Sequence, residues 1–214
     1  MPGALTTGST PVPGYVATPG LRRPLLIADN SPRRQVRKRD CYARGGKVMN
    51  LMALNSTRVA AIDLENPSHV QSLIELLEHY ARDPMGGGKG LSHEARQRLV
   101  PELRKIPGYA GALAYVGEEP VGLINCFTGF STFAARPLLN IHDIVVRKEQ
   151  RGHGVAKALL EWAQQLATRL HCCKVTLEVL SNNQQALRVY ERAGFEPYML
   201  DPAAGQAILL QKIL

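Results

Sequence analysis

Three groups of residues in this chain have the types and spacing to do chemistry. The first is the turn Arg151-Gly152-His153-Gly154, set between the apolar run Ile144-Val145-Val146 and a pattern that opens at Val155. Val155, Leu159, Trp162, Ala163, Leu166 and Leu170 recur at three- and four-residue spacings, which is a helix period. A strand, a glycine turn and a helix start together make an anion site. The first N–H groups of a helix have no partner inside it, its dipole favours negative charge there, and glycine lets the backbone approach closely. The turn therefore reads as a phosphate holder, acting through main-chain amides from Arg151 through Gly152, His153, Gly154, Val155 and Ala156 to Lys157. It is not a nucleoside triphosphate loop, because the Gly-x-x-x-x-Gly-Lys-Ser/Thr pattern is absent. Nor is it a dinucleotide fingerprint, since the third glycine is missing and no βαβ unit starts here.

The second group is His142 and Asp143, just ahead of that strand. Both are proton-acceptor types. A neutral imidazole, with an ordinary pKa of about 6.5, is a competent base. Alternation along a strand points the two to opposite faces unless a bulge intervenes, so one reads as catalytic and the other as structural. The third group is Asn183 and Tyr190, on a helix opened by Ser181-Asn182-Asn183 and stopped at Ala193-Gly194. Their spacing of seven residues is two turns less about 20°, so they share a side. A phenol with a pKa of about 10 is protonated at neutral pH and can donate.

Arg151, Gly154 and Ala156 resemble the Arg/Gln-x-x-Gly-x-Gly/Ala signature of the GNAT acetyltransferase superfamily. Downstream, Asn183, Ala186, Tyr190, Gly194 and Phe195 resemble the family's second block. The resemblance is sharp over residues 138–200, looser over 55–137 and absent before about residue 50. It implies an α/β fold with a mixed, mostly antiparallel sheet flanked by helices and a splayed pair of central parallel strands. It implies an N-acetyltransferase in which the turn holds the pyrophosphate of acetyl-coenzyme A (acetyl-CoA), with no metal. The pantetheine arm would pair with the main chain of Ile144, Val145 and Val146, and a strand N–H would polarise the thioester oxygen. Asn183 would contact the pantetheine and Tyr190 would protonate the leaving thiolate. The family often places a carboxylate near the start of this strand. His142 stands where several members carry Glu, so the base remains open among His142, Asp143 and Glu178. His153 reads as a solvent-facing residue or phosphate contact. The region around Asp83 to Gly90 would border the acceptor site, and Phe127, Phe130, Phe133 and the 131–137 loop would line the acceptor pocket. The acceptor is a small-molecule or protein amine. The rival from another class is a non-catalytic acyl-CoA-binding module of the same fold.

Charge sorts the remaining partners. The net charge is +8, but residues 1–50 carry nine Lys/Arg against two acids, which leaves +1 for the other 164 residues. A neutral core gives no support for nucleic acid, though the basic tail keeps an arm-mediated association open. Residues 1–50 form a Pro/Gly-rich basic extension without sustained periodicity, read as disordered. Leu25-Leu26-Ile27-Ala28 is too short for a secretory signal. We read the extension as an over-extended start, with Met49 and Met52 just ahead of the folded pattern; a natural basic arm and an added leader are the alternatives. No transmembrane span is evident. Cys41, Cys126, Cys172 and Cys173 lack zinc spacing and read as reduced thiols in a cytoplasmic protein. A homodimer is compatible with the sequence.

The positioning elements follow from pattern. A first strand is expected at Arg58–Ile62, then a helix from Pro67 or Ser68 with Val70, Leu73, Ile74 and Leu77 on one face. A loop at 83–90 leads to a second helix over 92–106, broken or kinked by Pro101. A hairpin turns at Gly117–Pro120 and the central strand covers Leu138–Val146. A strand at Lys174–Leu180 and two final antiparallel strands, Glu196–Leu200 and Ala207–Leu214, complete the domain at 51–214.

Overall fold

The computed structural model describes residues 56–199, 201, 203 and 207–213. The expected extension at 1–50 lies outside them. Five strands form one sheet in the order β1-β2-β3-β4-β5. They are β1 (Thr57–Ala61), β2 (Tyr109–Val116), β3 (Glu119–Ser131), β4 (Arg136–Val146) and β5 (Val175–Leu177). The first four pair antiparallel with their neighbours, and β5 lies parallel to β4. Among the described residues four α-helices accompany them: α1 (Pro67–Arg82), α2 (His93–Leu103), α3 (Val155–Arg169) and α4 (Gln184–Arg192). This is the mixed, mostly antiparallel α/β architecture expected from the sequence.

The sheet is covered on both faces because its strands alternate apolar residues to both sides. In β2, Leu113 and Tyr115 face α1 and α2, where they meet Leu73, Leu76, Leu77, Val100 and Leu103. Ala112 and Ala114 face the other way, toward Val155, Leu159, Leu160 and Ala163 of α3 and Tyr190 of α4. Leu73, Leu113, Leu123, Ile124, Leu139 and Leu159 are fully enclosed, and each such side chain stabilises the fold by about 1.5–3 kcal/mol.

Local chemistry sets the helix ends. Asn66 caps α1 by accepting from the Ser68 N–H at 3.0 Å, with Pro67 in the first turn. Ser92 caps α2 by accepting from the Ala95 N–H at 3.0 Å. Pro101 sits inside α2, which ends at Leu103 rather than continuing to residue 106. The missing proline N–H weakens the last turn.

Two expectations about the far end of the sheet are corrected. β5 is confined to Val175–Leu177, not Lys174–Leu180, because its partner turns away beyond Ile141. The final pair of strands is absent among the described residues of 196–213. Pro197 cannot donate to a ladder. Ile208, Leu209 and Leu210 are apolar on both faces of an extended chain, a pattern that needs cover on both sides. They stand about four-fifths exposed instead. No helix among the described residues is long and apolar enough to cross a membrane.

Candidate functional site

The decisive local feature is a bulge in β4. Ile124 pairs with Ile144 and Asn125 with Asp143, but Cys126 pairs with Ile141, so His142 is an extra residue with no partner on β3. An extra residue reverses the facing of everything after it. Leu139 and Ile141 point to the α3/α4 face, whereas Val145 points to the α1/α2 face. Alternation alone would separate His142 from Asp143. With the bulge, both serve the α1/α2 face. The His142 ring stands edge-on to Phe127 at 5.6 Å, and Phe127 packs with the α1/α2 core. An Asp143 oxygen accepts from Asn125 Nδ2 at 3.0 Å. His142 is exposed and Asp143 half-buried.

The same bulge ends the parallel pairing. The rungs are Leu139 with Val175, Asn140 with Thr176 and Ile141 with Leu177, and none follows. Asn140 Nδ2 donates to Thr176 Oγ1 at 3.2 Å across the middle rung. Beyond it the β5-facing edge of β4 opens. The Arg147 N–H donates to the Val121 carbonyl at 2.8 Å on the β3 side. By the alternation of an antiparallel ladder, Val145 and Asp143 also turn their main-chain groups to β3. Ile144 and Val146 turn theirs into the gap. The splay expected between these strands is thus present, and Ile144 and Val146 supply its polar edge.

The gap leads to the glycine turn. Gly152 and Gly154 have φ of 87° and 86°, in the left-handed region, with open space where a Cβ would stand. Gly154 is the N-cap of α3 and brings no capping side chain. The first N–H groups of α3 therefore face outward unpaired by the helix, which is what an anion site requires. Gly122 lets α3 come close: a Cβ there would stand 2.9 Å from Val155 Cγ1 and 3.1 Å from Leu159 Cδ1. His153 and Lys157 are exposed, with Lys157 3.7 Å from Glu161. The Arg151 side chain is tied to two partners within the protein. Its Nε donates to the Val146 carbonyl at 3.2 Å and its Nη2 to Asp83 at 2.8 Å. Arg151 is thus a strut that ties the turn to β4 and to the end of α1. The Arg151 guanidinium holds the Asp83 carboxyl below the usual carboxylate range. Asp83 also caps the short 3-10 turn Pro84–Gly86, so the glycine-rich segment that follows α1 starts from an anchored point.

Tyr190 lies on the α3/α4 side, 9% exposed. Its place is fixed by how α4 ends. The Phe195 N–H donates to the Tyr190 carbonyl at 3.0 Å and the Gly194 N–H to the Glu191 carbonyl at 3.0 Å, with Gly194 at φ 86°. This is the double-bonded glycine stop of a helix. Its usual hydrophobic contact is made by the Phe195 and Tyr190 rings, 6.0 Å apart. The Gly-Phe pair of the sequence motif therefore locates the Tyr190 ring. Burial pushes the Tyr190 hydroxyl up to about 12, with a smaller contribution from Tyr80, so it stays protonated over the neutral range. Asn183 caps α4, its side-chain oxygen accepting from the Ala186 N–H at 3.1 Å. Its amide nitrogen is the group left to contact a ligand.

Burial, then the charge of Asp143, raises the Tyr80 hydroxyl above its ordinary value. Other candidates fall outside. Glu178 is exposed past the end of β5. Phe130 and Phe133 stand 62% and 103% exposed near the β3–β4 turn, so of the three expected pocket aromatics only Phe127 meets the site. Cys126 is fully enclosed, and burial holds its thiol at about 12.

A family model described as the acetyltransferase (GNAT) family matches residues 73–195. The chain belongs to that family. This acetyltransferase is 23% identical over 129 residues to the thialysine N-epsilon-acetyltransferase of Caenorhabditis elegans, a match covering 60% of this chain and 78% of that enzyme. A crystal structure described as a probable acetyltransferase superposes with a TM-score of 0.62 at 25% identity, covering 73% of this chain and 98% of the other. The aminoglycoside N-acetyltransferase AAC(6')-Iy, solved in complex with CoA, superposes with a TM-score of 0.57 at 18% identity, covering 73% and 95%. That last likeness speaks to the fold.

Sequence reasoning missed Asn125, Tyr109 and Tyr80. Asn125 had one visible signal, a lone amide inside the apolar run Val121–Phe127. The other two are joined to the site only by tertiary contacts.

Proposed function

We propose that this acetyltransferase moves the acetyl group of acetyl-CoA directly onto a primary amine within a ternary complex. The observation that carries the reading is the coincidence of two events at His142. The β4–β5 pairing ends there, opening a gap to the glycine turn, and the bulge turns Asp143 and His142 together onto the α1/α2 face of the same stretch of β4. The pyrophosphate is assigned to the main chain from Gly152 to Lys157, and the pantetheine arm to the Ile144 and Val146 edge. The thioester oxygen receives a main-chain N–H of that edge. Asn183 steadies the arm through its amide nitrogen.

An alkyl ammonium, with a pKa of about 10, must lose a proton before it attacks. Asp143 is the better acceptor of the two neighbours. Its carboxylate is fixed by a buried amide, whereas His142 is exposed and makes only a ring contact. His142 then lines the path to solvent. The amine nitrogen bonds to the carbonyl carbon, the carbon–sulfur bond breaks, Tyr190 gives its proton to the departing thiolate, and the proton the nitrogen sheds in becoming an amide balances the one the phenol regains from solvent. The name of the Caenorhabditis elegans relative supports an amine acceptor, since it is an N-epsilon-acetyltransferase of thialysine. The test is thiol release from acetyl-CoA across a panel of primary amines, with product mass measured. Amine-dependent release with an acetylated product is expected. Acetyl-CoA binding without turnover of any amine would leave a binding module instead.

A further inference from the structure

Asp143 is one end of a chain of side chains that crosses three strands. Gly111, Asn125 and Asp143 stand in a single row, Gly111 paired with Asn125 and Asn125 with Asp143. Tyr109, two residues before Gly111 on the same face of β2, lays its hydroxyl over that glycine. A Cβ on Gly111 would collide with the Tyr109 hydroxyl and stand 2.8 Å from Ile62 Cδ1. From this position Tyr109 Oη donates to Asn125 Oδ1 at 3.0 Å, and Asn125 Nδ2 donates to Asp143 Oδ2 at 3.0 Å. Asn125 is 4% exposed.

The direction of the chain is forced. An ionised carboxylate only accepts, so the amide must turn its NH2 group to Asp143. That leaves the Asn125 carbonyl facing Tyr109, whose hydroxyl must donate. Burial raises the Tyr109 hydroxyl well above its ordinary value, which keeps the donor protonated. Flipping the amide would set its carbonyl against the carboxylate and leave buried groups unpaired, an outcome that costs more than the bond itself gains. One oxygen of Asp143 is therefore locked, and the other is left to take a proton.

We infer that Tyr109, Asn125 and the side-chain-free Gly111 are positioning residues that aim the second Asp143 oxygen at the acceptor amine. The inference rests on the reading of Asp143 as proton acceptor. A merely structural chain would satisfy a buried amide and stabilise the sheet. A positioning chain has a further signature: it matters most for acceptors that are protonated at neutral pH and must lose that proton before they attack.

The experiment uses the full chain and two acceptors, the fastest primary alkylamine of the panel and hydroxylamine, which is already neutral at pH 7. Tyr109→Phe keeps the ring and removes only the hydroxyl. It should lower kcat for the alkylamine about tenfold, sparing hydroxylamine and the KM for acetyl-CoA, as a small misplacement of a catalytic group does. Gly111→Ala should reproduce that loss by displacing the hydroxyl. Asn125→Ala should cost about 100-fold, and adding Tyr109→Phe to it should cost nothing more. Folded Tyr109→Phe and Gly111→Ala proteins that keep the wild-type ratio of alkylamine to hydroxylamine rates would overturn the inference. Asp143→Asn separates the two readings. If it too keeps the alkylamine rate, the assignment of Asp143 as proton acceptor fails; if it alone loses that rate, the chain behind it is structural.

Discussion

In the function proposed above, the glycine turn ahead of α3 and the Asp143 row of the sheet work by different means. The turn acts through main chain. Gly152 and Gly154 are the residues that matter, and what matters is that they lack side chains and hold φ of 87° and 86°. The Asp143 row acts through side chains. It needs a tyrosine, an amide and a carboxylate from three strands, brought into line by one extra residue at His142. A main-chain site tolerates change in most of its residues and fails when a glycine is filled. A side-chain site fails gradually as each contact is removed.

The largest effect expected from this contrast is at Gly154. Gly154→Glu forces a left-handed φ on a side chain and sets a carboxylate where the phosphates are assigned. Acetyl-CoA affinity should fall by more than about 100-fold by calorimetry, because the site's preference for negative charge is spent on its own residue. Next comes Tyr190→Phe, which keeps the ring contact with Phe195. Turnover should drop about 10- to 100-fold while the Kd for acetyl-CoA stays within about twofold, as expected when only a transition-state interaction is lost. Unchanged turnover would remove Tyr190 as the acid.

Gly122→Ala probes how the sheet seats the turn. The new methyl meets Val155 Cγ1 at 2.9 Å, Leu159 Cδ1 at 3.1 Å and the Val145 carbonyl at 3.1 Å. It should destabilise the fold by about 1–3 kcal/mol, read as a lower Tm, and loosen acetyl-CoA binding with it. A variant as stable and as tight-binding as wild type would show that α3 is not seated by this contact.

The smallest effect is at the Asp83–Arg151 pair. Asp83 is held below its ordinary value, first by the hydrogen bond from Arg151. A lowered carboxyl contributes stability that is present above its unfolded value and lost as pH falls through the folded one. Asp83→Asn should therefore lower Tm modestly at pH 7, and the difference from wild type should shrink below about pH 4. A difference that persists unchanged into acid would show that the ion pair is not its source.

The contrast also explains what the sequence could convey. Gly154, Gly194 and Phe195 announce themselves because a glycine stop and its hydrophobic partner are local, a few residues apart. The strands of the hairpin and the core helices are legible for the same reason: their period is written in consecutive residues. The facing of Asp143 is not local. It depends on an unpaired residue on β4 that can be counted only against β3. Arg151 reads by its neighbours as part of an anion-holding turn, and nothing local shows that its guanidinium is held by Asp83, 68 residues away. The Ala207–Leu214 stretch is apolar enough to suggest a strand, but an apolar run does not supply a neighbour to pair with. Its exposed Ile208, Leu209 and Leu210 show the difference.

The most direct test of the account is a calorimetric titration of acetyl-CoA into the full chain, paired with the same titration of Gly154→Glu. The account predicts micromolar binding by the wild type and none by the folded variant. No binding by folded wild type, or equal binding by both, would contradict it.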